Sequence, residues 1–188
     1  MKNLRRVSLV FAACFASSLL AAEGDDAVLA VLKPVADAAL RGDFAAGIDV
    51  MYDPLAQDLG GKPKLVASIA TLKEQLAAQQ LTLVRQEFVP PLRFVQGAKR
   101  RYVLVPTITE MQSPGGLMRS HGFQLGVEVS PGTWQFVDGA QVTRPLLGKY
   151  FSDFPANEKL PELRRETVEP PIGGEIRIKS PPAEPRRG

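Results

Sequence analysis

The sequence predicts an α+β protein in which N-terminal helices pack on one face of a curved, mainly antiparallel sheet. Two observations carry this prediction. Apolar residues recur with helical spacing as far as Gln80, and from Leu81 onward they alternate with a period of two between turn signals. The chain has one cysteine, Cys14, close to its start, so a packed core must stabilise the fold, and the length suits a single domain.

The chain begins with the pattern of a secretory signal peptide. A basic segment with Lys2, Arg5 and Arg6 precedes an apolar run, which ends in small residues at Ala22, before the acidic stretch EGDD. We therefore expect residues 1–22 to be a leader cleaved near Ala22, and the protein to be exported by the Sec-type route to the periplasm or the medium. The apolar run is shorter than the roughly 18–20 residues that span a bilayer, so no membrane span is expected in the mature chain.

Removal of this leader also changes the charge balance. The full chain has 23 Lys and Arg against 20 Asp and Glu, and the loss of three basic residues leaves the two signs equal. A neutral chain without a basic stripe gives no electrostatic reason to expect a nucleic-acid partner. His121 is the one histidine, and no metal-ligand spacing, serine-nucleophile pattern or phosphate-binding glycine loop is present, so we expect no metal and no cofactor.

Three helices are predicted ahead of the sheet. The first covers residues 25–40, starts with Asp25 or Asp26 as its cap, is kinked or restarted at Pro34, and ends at Gly42. The spacing of its apolar residues predicts a buried face formed by Val28, Leu32, Val35 and Ala39.

The second helix is short and opens at Asp43, and the segment that follows, DPLAQDLGG, is interpreted as a loop. The third helix begins near Pro63, a residue suited to a first helical turn. The residues expected on the buried sides are Phe44, Ile48 and Met51 or Tyr52 in the second helix, and Leu65, Ile69, Leu72 and Leu76 in the third.

Five strands are predicted after Gln80, separated by proline- and glycine-containing turns. They cover residues 81–89, 92–96, 100–111, 117–129 and 134–139. Pro106 predicts a bulge or a sheet edge within the third of them, since proline cannot donate to the strand ladder. Residues 23–154 are accordingly assigned to the folded domain, and the proline-rich residues 155–188 to a disordered or extended tail. A solvated tail is the more common case, and a proline-rich ligand for an envelope partner is the alternative.

Two hairpin turns predict which side chains share a face of the sheet. A two-residue turn at Pro114 and Gly115 places three pairs opposite each other: Glu110 with Arg119, Ile108 with His121, and Leu104 with Leu125. A similar turn at Pro131 and Gly132 places Val127 opposite Phe136 and Leu125 opposite Asp138. The shared face is then an apolar bowl of Tyr102, Leu104, Ile108, Phe123, Leu125, Val127, Trp134 and Phe136, with Glu110, Arg119, His121 and Asp138 at its margin. A slip of one residue in either hairpin would move half of these side chains to the other face.

This order of elements resembles the nuclear transport factor 2-like superfamily, the cystatin-like cone fold that also includes SnoaL-like and ketosteroid-isomerase-like proteins. The resemblance covers residues 26–140 and depends most on the helix break RGDF at 41–44 and the closing strand WQFVDG at 134–139. It implies a cone in which the helices close against the sheet and leave a cavity. The superfamily contains isomerases, dehydratases, cyclases, ligand binders and dimerisation modules, so the resemblance implies no single activity.

Such a cavity would be a small-molecule site. The candidate pocket residues are Tyr52, Tyr102, Leu104, Arg119, His121, Phe123, Trp134, Phe136 and Asp138. Catalysis there would use His121 as a general acid or base, tuned by Asp138 or Glu110. The more common explanations are a structural histidine, a cross-strand ion pair of Glu110 with Arg119, and a turn-forming Asp138 before Gly139.

Three functions follow as hypotheses. The favoured one is a non-enzymatic exported domain that binds a small apolar ligand or a protein partner through the cone, because ionisable groups in the bowl are few. The second is an acid–base enzyme of isomerase or dehydratase type that acts on a small apolar substrate. The third is a homodimerisation module that uses an apolar strip on the outer sheet face, formed by Val103, Val105, Thr107 and Thr109.

Overall fold

The computed structural model describes residues 7–168 and 178–179, with side chains from residue 24 to residue 168. The fold is α+β, with a curled antiparallel sheet that forms a half-barrel. The described residues contain five α-helices, namely α1 (Val7–Leu40), α2 (Ala46–Asp49), α3 (Asp53–Asp58), α4 (Lys62–Ala78) and α5 (Arg144–Tyr150). The predicted class is therefore confirmed, with α3 and α5 as additions to the three helices that the sequence predicted.

The sheet is built around two long central strands. Its strands are β1 (Thr82–Phe88), β2 (Arg93–Gln96), β3 (Arg101–Ser113), β4 (Gly116–Ser130), β5 (Thr133–Asp138), β6 (Arg164–Val168) and β7 (Ile178–Lys179). β3 pairs with β4 along its whole length, while β1 and β2 share the other side of β3, and β5 and β6 share the other side of β4. The five predicted strands are confirmed.

Helix α1 differs from its prediction at its start and at Pro34. It begins at Val7, so Asp25 and Asp26 lie inside the helix, and it continues through Pro34 without a second start. Burial on both sides of the proline explains the continuation, because Leu32 is 3% exposed and Ala36 is 4% exposed. The predicted end is confirmed: α1 stops at Leu40 and the chain turns at Gly42, where φ is +81°. The predicted leader remains a prediction, and residues 1–6 lie outside the described residues.

The segment between α2 and α4 is helical where a loop was predicted. α3 occupies Asp53–Asp58, with Pro54 in its first turn and Leu55 buried. α4 begins as predicted, with Pro63 in its first turn, but its apolar side is not buried. Leu72 is 38% exposed and Leu65, Ile69 and Leu76 are half-buried, because α4 lies at the margin of the fold and covers only part of a cavity.

Helices cover both faces of the sheet, which corrects the prediction that they lie on one face. Tyr102, Val103, Leu104 and Val105 are consecutive in β3 and all are 0% exposed. Since neighbours in a strand point to opposite faces, such a run needs cover on both sides. We call the side of Val103 and Val105 the α1 face, where they pack with Val28, Leu29 and Leu32. The side of Tyr102 and Leu104 is the α5 face, where they pack with Leu55, Val142, Leu147, Phe151 and Phe154.

The predicted dimerisation strip is therefore not an outer surface. Val103 and Val105 lie beneath α1 and are fully buried, and Thr107 is only 7% exposed. Thr109 is half-buried. The strip forms part of the core on the α1 face, since the N-terminal helix lies on the face that the prediction had left open.

The first predicted hairpin is confirmed and the second is shifted by one residue. Ser113 pairs with Gly116, and the pairs of Glu110 with Arg119, Ile108 with His121 and Leu104 with Leu125 are all present. Ser130 pairs with Thr133 as predicted, but a bulge between Glu128 and Ser130 changes the register. Val127 then faces Gln135, not Phe136, and Leu125 faces Val137, not Asp138.

The side chain of Glu128 explains this bulge, because its carboxylate accepts a hydrogen bond from the turn amide of Gly132 at 2.8 Å. One extra residue in β4 moves Trp134 and Phe136 from the predicted bowl to the α1 face, where both are buried. The predicted bowl is thus divided between the two faces of the sheet.

Two further predictions are changed by strand pairing. Pro106 pairs with Phe123 without a bulge. On its other side it lies between the end of β1 and the start of β2, where its carbonyl oxygen accepts from Val89 N at 2.8 Å and no strand requires an amide donor from it. Residues 155–168, expected in the tail, include β6, which pairs with β4. Glu166 and Val168 are buried in that pairing. Apart from β7, the rest of the predicted tail lies outside the described residues.

Replacing Gly97 with alanine is expected to lower the free energy of unfolding by about 1–3 kcal/mol, because the tight turn before β3 has no room for a methyl group. A Cβ at this position would lie 2.7 Å from the Tyr102 ring and 2.8 Å from the backbone oxygen of Asp153. Urea unfolding measures the effect. The control is Gly148→Ala in α5, where a Cβ meets nothing within 4 Å and a small gain is expected. Equal losses in both variants would contradict the packing at Gly97.

Candidate functional site

A cavity of about 400 Å³ lies between the helices and the α1 face of the sheet. Its walls are mainly apolar. They come from α1, from the segment that contains α2, from α4, and from the strands β1, β4 and β5. Its lining includes Leu32, Gly47, Ile69, Phe88 and Phe136. This volume is within the range of small-molecule sites.

Three polar side chains lie at the sheet side of this cavity: Gln86, Gln124 and Asp138. Gln124 Nε2 donates to Asp138 Oδ2 at 3.2 Å, and the backbone amide of Ala140 donates to Asp138 Oδ1 at 2.8 Å. Asp138 is therefore fixed by the turn that follows β5, as the structural explanation predicted. The cavity can thus offer an apolar environment and a few hydrogen-bonding groups on its sheet side.

A second cavity, of about 510 Å³, adjoins the first on the α1 face, and Asp138 borders both. Strand pairing places the two side by side. Gln86 and Phe88 line the first cavity, and their direct partners Thr109 and Thr107 line the second. The lining of the second cavity also includes Ser120, so that three hydroxyl-bearing residues border it.

The most connected polar network of the described residues is centred on Asp153 and lies on the α5 face. Arg100 donates to Asp153 Oδ1 from its guanidinium group, Tyr102 Oη donates to the same oxygen at 2.6 Å, and the backbone amides of Lys99 and Arg100 donate to Oδ2 at 3.1 and 3.0 Å. Arg100 also donates to the hydroxyl of Tyr52 at 3.2 Å. This network ties the turn before β3 to the segment after α5, which is a structural role.

Charge and burial act together on this network. Burial raises the pKa of Asp153, but the hydrogen bonds from Arg100 and Tyr102 outweigh it and hold that pKa well below the ordinary value. Burial and the hydrogen bond to Asp153 raise the pKa of the Tyr102 phenol far above its usual range. Neither Tyr52 nor Tyr102 lines the cavities described above.

A cluster of charged side chains occupies the end of the α5 face that α5 does not cover. Glu110 Oε1 is 2.7 Å from Arg119 Nε and 3.2 Å from Arg85 Nη1, which is the cross-strand ion pair that the sequence suggested. His121 Nε2 lies 3.3 Å from Glu166 Oε1. The contact with His121 is the main reason that the pKa of Glu166 lies below its ordinary value, and Arg164 and Arg119 add to it.

The structure separates the predicted acid–base residues. By strand register, His121 and Glu110 lie on the α5 face, whereas Asp138 lies on the α1 face beside Gln124. His121 therefore pairs with Glu166, a residue that had been assigned to the tail, and Asp138 does not orient it. The predicted pairing of His121 with Asp138 is corrected because the bulge in β4 moved Asp138 across the sheet.

The predicted pocket residues do not form one site. Leu104 is fully buried in the core of the α5 face, as is Tyr102. Trp134 is buried under α1 against Phe94. Phe136 and Asp138 do line the first cavity, and Asp138 also borders the second. Phe123 and His121 are next to the second cavity as well, but strand register places their side chains on the α5 face. Arg119 remains in its ion pair with Glu110.

Sequence reasoning missed the residues that α1, α4 and β1 contribute to the first cavity. The signals were present: Leu32, Ile69 and Leu72 belong to the predicted apolar faces of their helices, and Gln86 and Phe88 alternate with outward residues in β1. The three helix residues were predicted on buried faces, and the two strand residues were not assigned to a site. Only the packing shows that the helices and the sheet leave space between them.

Within residues 7–168 and 178–179, no group of three His, Cys, Asp or Glu side chains is placed to hold a metal ion. In the described part of the chain, no helix combines the length and hydropathy required to cross a bilayer. The features above define a class, an α+β protein with a curled antiparallel half-barrel and an apolar cavity beneath its N-terminal helices. In comparisons with known proteins, no family model, no curated protein and no solved structure matches this chain.

Proposed function

We propose that this chain is an exported protein of nuclear transport factor 2-like type that binds a small, mainly apolar ligand in the cavity between α1, α4 and the sheet. The observation that carries the proposal is the cavity itself, about 400 Å³ in volume, with mainly apolar walls and with Gln86, Gln124 and Asp138 on its sheet side. Apolar walls supply most of the binding free energy, and a few polar groups orient the ligand.

The exposed position of α4 supports this proposal. α4 has no buried residue, yet Ile69 and Leu72 face the cavity and Leu72 remains 38% exposed. A ligand in the cavity would remove these side chains from water. Binding would therefore add the apolar contacts that α4 lacks in the free protein.

The acid–base alternative has less support than binding. His121 is held by Glu166 on the α5 face, and the apolar cavity lies on the opposite face of the sheet. A general base must come within hydrogen-bond reach of the substrate. We therefore assign the histidine to the pairing of β4 with β6 and place the ligand in the apolar cavity.

Replacing Gly47 with leucine is expected to weaken binding strongly and to preserve the fold. Gly47 lies on α2 at the cavity wall, and a Cβ there would have a single neighbour, Val35 Cγ1 at 3.9 Å, so a larger side chain can extend into the cavity. We expect the affinity for the neutral fluorescent probe N-phenyl-1-naphthylamine to fall by about tenfold or more, since a filled cavity excludes the probe. Fluorescence titration of the purified protein measures the change.

The matched control is Gly148→Leu on α5, where the residue is exposed and a Cβ meets nothing within 4 Å. It should bind the probe as the unaltered protein does. Native mass spectrometry of the protein from its own compartment gives a second test, because a retained small molecule should be present and should be lost in Gly47→Leu. Unchanged probe binding in Gly47→Leu, or no binding to the unaltered protein, would refute the proposal.

A further inference from the structure

One row of polar side chains crosses four strands on the α1 face. Gln86 of β1 pairs with Thr109 of β3, Thr109 with Ser120 of β4, and Ser120 with Arg165 of β6. Directly paired residues of antiparallel strands point to the same face. These four residues, which we call the polar row, therefore form a line of two hydroxyl groups between an amide and a guanidinium group.

Thr107 adds a third hydroxyl beside the polar row. It is two residues from Thr109 on the same strand and face, is only 7% exposed, and lines the second cavity. Its hydroxyl forms no hydrogen bond within the described residues, and it is not sealed from solvent. A nearly buried hydroxyl group that opens into a cavity is a donor available to a ligand.

Gly122 keeps this hydroxyl accessible. Gly122 is the direct partner of Thr107, and a Cβ at that position would lie 3.1 Å from Thr107 Oγ1. Any side chain here would cover the hydroxyl. Leu163, which is 54% exposed, is next to this position, since its Cδ2 would lie 3.9 Å from a Cβ on Gly122.

The charges around the second cavity favour an anion. Arg165 has no carboxylate within ion-pair distance in the part of the chain that the structure describes. Arg164 pairs with His121, so strand register places its side chain on the α5 face, where its Nη2 is 3.5 Å from Glu166. Asp138 is the carboxylate at the border, and it already accepts hydrogen bonds from Gln124 and Ala140.

We infer that the polar row and Thr107 bind the carboxylate group of an amphipathic ligand whose apolar part occupies the first cavity. This inference rests on the proposed function, because it specifies the ligand class of the same site. The two cavities are neighbours: Thr107 and Thr109 are the direct partners of Phe88 and Gln86, and adjacent strands are about 4.8 Å apart. One molecule can therefore reach both, with Arg165 and the hydroxyl groups donating to its carboxylate.

The test compares decanoate with 1-decanol, two compounds with the same chain and different head groups, as competitors of N-phenyl-1-naphthylamine. We expect decanoate to displace the probe at about tenfold lower concentration than decanol, because a charge-assisted hydrogen bond is worth more than a neutral one. Arg165→Gln and Thr107→Val should each remove most of this preference. Gly122→Ala should act in the same direction as Thr107→Val.

Lys64→Gln on α4 is the charge-matched control and should keep the preference for decanoate. Circular dichroism of each variant checks that the fold is retained, and Thr107→Val, which preserves side-chain shape, keeps the test valid if Arg165→Gln loosens β6. Equal displacement by the two compounds, or an unchanged preference in both variants, would overturn the carboxylate site while probe binding still supported the cavity. Failure of the probe and of both competitors to bind would overturn the proposed function as well.

Discussion

Replacing Asp153 with alanine is expected to lower the free energy of unfolding by about 3–5 kcal/mol, as is usual when one partner of a buried ion pair is removed. The side chain of Asp153 is 5% exposed and accepts from Arg100, Tyr102 and two backbone amides. Without it, the Arg100 charge and the Tyr102 hydroxyl lose their partner in a mainly buried setting. Urea unfolding followed by the fluorescence of Trp134, the one tryptophan, measures the change.

The control for this variant is Asp58→Ala. Asp58 contacts a lysine and a tyrosine, Lys149 and Tyr150, through similar groups, but it lies at the surface. Exposed ion pairs contribute little to stability, so the variant should unfold close to the unaltered protein. A comparable loss in both variants, or a small loss in Asp153→Ala, would show that burial of the Asp153 network contributes little.

The effect of Asp153 should also depend on pH. Its pKa in the folded protein lies below the ordinary value of 3.8, so the carboxylate stabilises the fold fully above that value, and the stabilisation is lost as the pH falls through the folded-state pKa. The difference between the protein and Asp153→Ala should therefore stay constant from about pH 5 to pH 8 and shrink in more acidic solution. A difference that grows on acidification would contradict the assigned direction of the pKa shift.

Replacing Trp134 with alanine is expected to cost about 3–5 kcal/mol, the usual range for removing a large aromatic side chain from a core. Trp134 is 6% exposed, its ring lies 6.0 Å from that of Phe94, and the Arg101 guanidinium lies 5.8 Å from its centroid. The variant would leave a space between β5 and α1, where Trp134 packs with Val28 and Leu32. Because the variant has no tryptophan, thermal unfolding followed by circular dichroism is the appropriate measurement.

Val129→Ala, in the same hairpin, is the control. Val129 is 44% exposed at the bulge, and its truncation should change stability by no more than about 0.5 kcal/mol. If Trp134→Ala lost less than about 1 kcal/mol, the side chain would not be packed beneath α1 and the bulged register would be wrong. The pair of variants thus tests the point at which the structure departs most from the sequence-based prediction.

Local patterns predicted the elements that depend on neighbouring residues. The apolar spacing of α1 and α4, the alternation of β1 to β5 and the turn at Pro114 and Gly115 all appear in the structure. These features are decided within a few residues of the chain. The consecutive buried run from Tyr102 to Val105 also carried the information that both sheet faces are covered, although the prediction used it for one face only.

The candidate site was less accessible to such reasoning, because it depends on register. The bulge between Glu128 and Ser130 leaves one extra residue in β4, and this shift of register places Phe136 and Asp138 at the cavity under α1. Leu32 and Ile69 were recognised as apolar helix positions, but no local pattern distinguishes a residue that fills a core from one that borders a cavity. Phe136 and Asp138 were predicted as site residues, yet with partners from the other face.

The sequence by itself therefore determined the α+β class, the succession of helices and strands and the first hairpin, since each follows from periodicity and turn chemistry within a short segment. Tertiary structure alone decided the bulge at Val129, the pairing of β6 with β4, the Asp153 network and the cavity beneath α1. Each of these joins groups that are distant in the chain or depends on space left between packed elements, and such relations have no local signal.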